Sequence, residues 1–153
     1  MPTECIPTCV KSTTFHGLRK GPKLLITGAV HGNELAGTVA IEQTIRDIEE
    51  GRIHLTRGSV TFIPRTNPLA VERKSRMGDR NLNRNMCVKA IPQDFEDRVS
   101  NVLCPILDTH DVLLDLHSFH SPGEPFVLIG PADNDGDLEP FHQHAQVTIY
   151  ATS

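Results

Sequence analysis

The chain has no tryptophan and a single tyrosine among its 153 residues. Its interior must therefore rest on aliphatic side chains and six phenylalanines, with hydrophobic residues at 38%. That fraction exceeds what disorder would give, and the length suits one domain with a sizeable core. No apolar stretch approaches the ~20 residues a membrane span needs. The opening Met1-Pro2-Thr3-Glu4-Cys5 lacks a basic segment followed by an apolar run, so no signal peptide is expected. Positive charge is in deficit: the formal net charge is -4 and the pI about 6.0. Nucleic-acid binding through bulk positive charge is thereby excluded. Cysteine is sparse as well. Cys5 and Cys9 are spaced C-x3-C, and Cys87 and Cys104 form no matching pair. A four-cysteine zinc knuckle is not expected; thiols in a reducing cytoplasm are.

What is present is an α/β pattern. Leu24-Leu25-Ile26-Thr27 begins an apolar run to Val30, which reads as a strand covered on both faces. The run enters the turn Gly28-Ala29-Val30-His31-Gly32-Asn33-Glu34. A helix is expected over 34–50, with Asn33 as N-cap, Thr38, Ile41, Ile45 and Ile48 on one face, and Gly51 as the stop. Residues 58–64 alternate as a second strand closed by Pro64. Asn67 and Pro68 start a loop, and 71–86 shows no clean period, as a functional or mobile segment would. Phe95, Val99, Val102 and Ile106 mark a helix over 92–108 that Pro105 should kink or end. Strands are expected at 111–117, 126–129 and 147–150, and a short one at 6–10. Gly130 and Pro131 close the strand at 126–129, 132–140 reads as an acidic loop, and 141–145 is ambiguous.

His31 lies just past the first strand, and His117 ends the strand at 111–117. If those strands are parallel neighbours or near-neighbours, both histidines emerge at the sheet edge where open α/β sheets bind ligands. Glu34 can swing back to the same point. Two imidazoles and a carboxylate form a three-ligand set that leaves a position for water. The plainer alternative has His31 bonding backbone, Glu34 favouring the helix dipole and His117 as an ordinary strand-end residue. Arg73, Lys74, Arg76, Arg80 and Arg84 cluster against one acid, Asp79, in an otherwise acidic chain. Arginine suits bidentate carboxylate recognition, and Asn83 beside Arg84 adds a neutral donor. A solvated basic loop is the alternative. His142 and His144, and His120 near His117, are better read as solvated or rim residues than as ligands.

The block from Gly28 to Glu34, then Arg76, Asn81-Leu82-Asn83-Arg84 and Asp115-Leu116-His117-Ser118, resembles the succinylglutamate desuccinylase/aspartoacylase family. This family is a branch of the zinc carboxypeptidase-like hydrolases. The matching blocks run from about residue 24 to 118 in the family's order. The resemblance implies a mixed, largely parallel central sheet with helices on both faces, incomplete at the C-terminus. It implies one Zn2+ per chain on His31, Glu34 and His117. It implies that Asn83 and Arg84 hold the free carboxylate of a small N-acyl amino acid. Arg76 aligns with the arginine that polarises the scissile carbonyl. The implied reaction is hydrolysis of the amide joining acyl group to amino acid.

Two departures accompany the resemblance. Asn81 stands where the family commonly has an acid that would orient a metal-bound imidazole; Asp115 is the candidate to compensate. The general base, a glutamate in a T-x-E-x-G context on a later strand, has no counterpart in Glu124 or Glu139. The chain is therefore expected to be the metal-binding N-terminal part of the family fold: a fragment, a truncation or a short relative. Zinc binding is expected, with weak activity for this chain alone. A carboxypeptidase, a non-catalytic zinc-binding module and a basic-loop interaction protein remain as other readings. No membrane partner is expected, and an exposed sheet edge makes a homo-oligomer one expectation.

Overall fold

The computed structural model describes residues 6–119, 121, 123–129 and 145–152. The expectations for Gly130, Pro131, 132–144, His120 and Cys5 lie outside them. The elements are β1 (Thr13–His16), β2 (Lys23–Gly28), α1 (Ala36–Glu49), β3 (Ser59–Ile63), α2 (Pro68–Glu72), α3 (Phe95–Asp108), β4 (Val112–Phe119), β5 (Phe126–Ile129) and β6 (Ala145–Thr152). They build a six-stranded sheet in the order β1-β3-β2-β4-β6-β5. The four inner strands are parallel, and β1 and β5 close the edges antiparallel.

Alternation along β2 explains why helices cover both faces. Leu25 packs with Ile63, Leu113 and the α3 residues Val99, Leu103 and Leu107. Leu24 and Ile26 point the other way, onto Ile41, Ile45 and Ile48 of α1, with Val60, Phe62 and Leu116. A strand buried on both faces needs apolar residues at both parities, which is why its sequence reads as an unbroken run. Gly37 lets α1 approach β4 closely: a Cβ there would sit 2.7 Å from the Leu116 Cβ.

Several elements differ from expectation. The first strand is Thr13–His16, not 6–10, because Phe15 supplies the inward side chain while Val10 tucks against the α3 side. Helix α1 begins at Ala36, with Leu35 at the cap position and no side-chain cap. Residues 31–34 instead form a turn closed by the Glu34 N–H donating to the His31 carbonyl at 3.1 Å. Asn67 and Pro68 start a helix, not a loop: the Asn67 side chain accepts from the Ala70 N–H and Pro68 takes the first helical position. In α3 Asp94 is the N-cap, so the helix starts three residues later than expected. Pro105 lies within it without ending it, on an exposed face. Strand β6 runs longer than 147–150 at both ends.

Register places the site. Gly28 of β2 pairs with Leu116 of β4. The chain leaving β2 therefore turns beside His117. Gly37→Ala is expected to force α1 off β4 and to destabilise by about 1–3 kcal/mol, the usual range for overpacking. Urea unfolding measures it, and an unchanged midpoint would contradict the close approach.

Candidate metal centre

The site lies where the chain turns out of β2, beside the carboxyl end of β4. Ala29 takes a left-handed conformation, φ 49°, to turn the chain out of β2. The turn is tied down by Thr66 N–H donating to Gly28 O (2.9 Å) and Asn67 N–H to Ala29 O (3.0 Å). Gly32 passes so close to Ala70 that a Cβ would lie 1.9 Å from its carbonyl carbon. This packing turns His31 and Glu34 inward instead of into the first turn of α1.

His31, Glu34 and His117 are each at least 95% buried. One ligand atom from each lies within 4.8 Å of the others, so the trio could hold a metal ion. Glu34 Oε1 is 2.8 Å from His31 Nδ1. Glu34 Oε2 is 2.8 Å from His117 Nδ1 and also accepts the Ser118 N–H at 3.1 Å.

The far nitrogens are held by other groups. Asn81 Oδ1 accepts from the Asn83 N–H (3.0 Å), which identifies this atom as the amide oxygen, and lies 3.2 Å from His31 Nε2. An oxygen facing Nε2 requires the proton there, so His31 Nδ1 carries a bare lone pair. Among the described residues that buried Nδ1 has no hydrogen-bond partner, though the Glu34 oxygen is near. Two lone pairs at such a distance repel unless a cation lies between them. The donor set thus fits a metal, through both Nδ1 atoms and Glu34. His117 Nε2 contacts Asp115 Oδ2 at 2.8 Å, and Asp115 Oδ1 accepts from Thr27 Oγ at 2.7 Å. Among the described residues Asp115 therefore serves His117 and Asn81 serves His31; Asp115 does not stand in for the acid missing at position 81.

Arg76 reaches the centre, its Nη1 donating to Glu34 Oε1 at 3.0 Å. Asn83 and Arg84 follow Asn81 in the same loop. Asn83 borders a cavity of about 20 Å³ with Thr27 and Asp115, and Arg84 donates to the Asn83 carbonyl at 2.6 Å. Among the described residues no hydrogen bond joins the Asn83 or Arg84 side chain to the trio. The basic cluster is not a bare cationic loop. Arg73 pairs with Asp79, and Arg80 with Asp94 and Asp97. Sequence reasoning passed over Asn67 and Glu96, both fully buried beneath this loop. The N-cap pattern of Asn67-Pro68 was a usable signal for the first. An acid in the first turn of α3 was only a weak one for the second. Glu124 is exposed, and Glu139 lies outside the described residues.

The fold and this cluster define a class: an open α/β sheet carrying a buried His-Glu-His centre at the carboxyl ends of adjacent parallel strands. The model of the succinylglutamate desuccinylase/aspartoacylase catalytic domain matches residues 20–123, and the chain belongs to that family of acyl-amino-acid deacylases. It is 32% identical over 105 residues to the N-alpha-acetyl-L-2,4-diaminobutyric acid deacetylase of Halomonas elongata, covering 65% of this chain and 29% of the relative. An aspartoacylase family protein from Mesorhizobium loti superposes with a TM-score of 0.76 at 22% identity, over 98% of this chain and 58% of that one. A succinylglutamate desuccinylase/aspartoacylase from Rhodobacter sphaeroides gives 0.73 at 21%, over 92% and 51%. The chain thus spans little more than half the length of these structures and under a third of the curated relative. Among the described residues no helix is long and apolar enough to cross a membrane.

Burial opposes charge on both partners at the centre, but hydrogen bonds outweigh it. The one from His117 holds Glu34 well below the usual carboxylate range. Those to Asp115 and Glu34 raise His117 to about 9. In metal-free protein, the His117 contribution to stability is expected in full below its unfolded value of about 6.5. It should fade as pH rises through about 9. The Glu34 contribution runs oppositely, present above the ordinary carboxylate pKa and lost as pH falls into acid. Urea midpoints of His117→Asn against wild type across pH 6 to 10, at about one-unit steps, should converge at the alkaline end; a pH-independent gap would contradict this.

Proposed function

We propose that His31, Glu34 and His117 hold one zinc ion, and that the site serves hydrolysis of the amide bond in an N-acyl amino acid. The observation that carries this reading is the bare, buried Nδ1 of His31 converging with Glu34 and His117 Nδ1. A borderline-soft ion with nitrogen and carboxylate ligands fits zinc. Zinc would supply Lewis acidity toward a carbonyl and lower the pKa of water.

The chain's own groups do the rest. Asn81 and Asp115 hold the two imidazoles by their far nitrogens, fixing tautomer and ring orientation. Arg76, half exposed beside Glu34, donates to the scissile carbonyl oxygen as negative charge develops on it. Asn83 and Arg84 engage the free carboxylate of the amino acid, with the exposed Arg84 guanidinium as the bidentate partner. In the net reaction the C–N bond breaks, hydroxide adds to the acyl carbon and a proton goes to the leaving amine. The thiols of Cys9 and Cys87 suit a reducing cytoplasm. Phe126, Val127 and Leu128, about half exposed on the edge strand β5, support self-association.

One observation favours a second reading, a zinc-binding module without turnover. Glu34 and Asp115 are both engaged by imidazoles, so neither is placed to take a proton from water.

Metal analysis of purified wild type, His31→Ala and His117→Ala tests the zinc assignment. About one zinc per chain is expected in wild type, for a single three-ligand site, and little in either variant. Equal zinc in all three would overturn it. If the protein hydrolyses N-acyl amino acids, Arg76→Ala should lower kcat by about 10²–10³ with zinc content unchanged, as for loss of an oxyanion donor. Zinc retained with no hydrolysis in wild type selects the second reading.

A further inference from the structure

The loop that carries Arg76 and Asn81 has no helix or strand to fix it, yet both residues must be placed to within a fraction of an ångström. Between them lie residues 77–80. Three of their backbone N–H groups converge on one side chain. Glu96, fully buried in the first turn of α3, accepts from Gly78 N–H at 2.9 Å, Asp79 N–H at 3.1 Å and Arg80 N–H at 3.1 Å. A fourth donor is the side-chain amide of Asn67 at 2.8 Å. Asn67 in turn donates its own N–H to Ala29, inside the turn that carries His31.

An acid in a helix's first turn ordinarily faces water and interacts weakly with the dipole. A buried carboxylate costs far more unless it is fully hydrogen-bonded, and four N–H donors meet that need. Its two oxygens are divided evenly: Oε1 takes Asn67 and Gly78, Oε2 takes Asp79 and Arg80. Reciprocal bonds lock the same junction. Asp79 accepts the Phe95 N–H at 2.9 Å, and Arg80 spans Asp94 and Asp97. Gly78 is fitted to the carboxylate, since a Cβ there would stand 2.5 Å from Glu96 Oε1.

We infer that Glu96 is a positioning residue for the metal centre: by gathering the amides of 78–80 it sets where Arg76 stands against Glu34 and where Asn81 stands against His31. Its role at the metal rests on the zinc reading above; its role on the loop and on His31 does not. Glutamine cannot replace it, because one oxygen would become an NH2 group facing two donors, whichever way the amide is turned.

The test compares wild type with Glu96→Gln, with Gly78→Ala, and with Glu96→Gln in an Asn81→Ala background. Gly78→Ala keeps the carboxylate and disturbs its cradle, with a lesser press on Leu69 Cδ2 at 3.1 Å. Zinc affinity is measured by chelator competition. The imidazole 15N shifts of His31 are measured in the chelated protein. Glu96→Gln is expected to weaken zinc about tenfold, the low end for loss of support to a ligand, and to shift His31 away from a pure Nε2–H tautomer. The effect on zinc should shrink in the Asn81→Ala background, because the part that acts through Asn81 is already lost there. Unchanged His31 shifts in a folded Glu96→Gln protein would overturn the inference, as would an additive effect on zinc. If both single variants fail to fold, Glu96 is a stability residue only and the inference also falls. A wild type that binds no zinc defeats the zinc reading alone, and the His31 shifts still decide the role of Glu96.

Discussion

The carboxylate of Glu34 is the constraint around which the centre is built. It is 5% exposed, and each oxygen faces two groups: His31 Nδ1 and Arg76 on one, His117 Nδ1 and the Ser118 N–H on the other. A charge so far from water is tolerable only when paired and hydrogen-bonded on both oxygens. That demand reaches into the fold. It requires β2 and β4 to be direct neighbours, so that the residues after Gly28 and after Leu116 meet. It also requires the 31–34 turn to precede α1, which is why the helix starts at Ala36.

Support for the two imidazoles is unequal. His117 leans on a buried carboxylate, Asp115, itself braced by Thr27 across the β2–β4 pairing. His31 leans on an amide, Asn81. A carboxylate makes the imidazole it holds a stronger base and stabilises its protonated form; an amide fixes the tautomer without adding charge. The side of the centre fed by β4 is therefore electrostatically reinforced. The side fed by the loop relies on geometry, which is why the anchoring of residues 78–80 matters there.

The loop from Arg73 to Arg84 shows how charge composition can mislead. Read as a string it is a basic patch. In space Arg73 and Arg80 are consumed by Asp79, Asp94 and Asp97, and Arg76 turns inward to Glu34. The acids of α3 are distant from Arg80 in sequence, so no local count of charges anticipates the pairing. Arg84 keeps the surface exposure that a ligand-binding cation needs.

Local chemistry by itself determined the α/β order, the double-sided burial of β2, the stop of α1 at Gly51, and the motifs that placed the chain in its family. Apolar parity and turn residues are short-range signals, and they survive without knowledge of the fold. The start of α1 and the strand at Thr13–His16 were settled by tertiary demands: inward rotation of Glu34 and a seat for Phe15. Only tertiary structure decided that β2 and β4 are adjacent, that Asp115 attends His117 instead of His31, and that Glu96 sits beneath the loop. The histidine and glutamate in the turn after Gly28 were legible as two members of the buried cluster. What completes them, His117 from 83 residues beyond Glu34, is brought there by strand register, which no local pattern encodes.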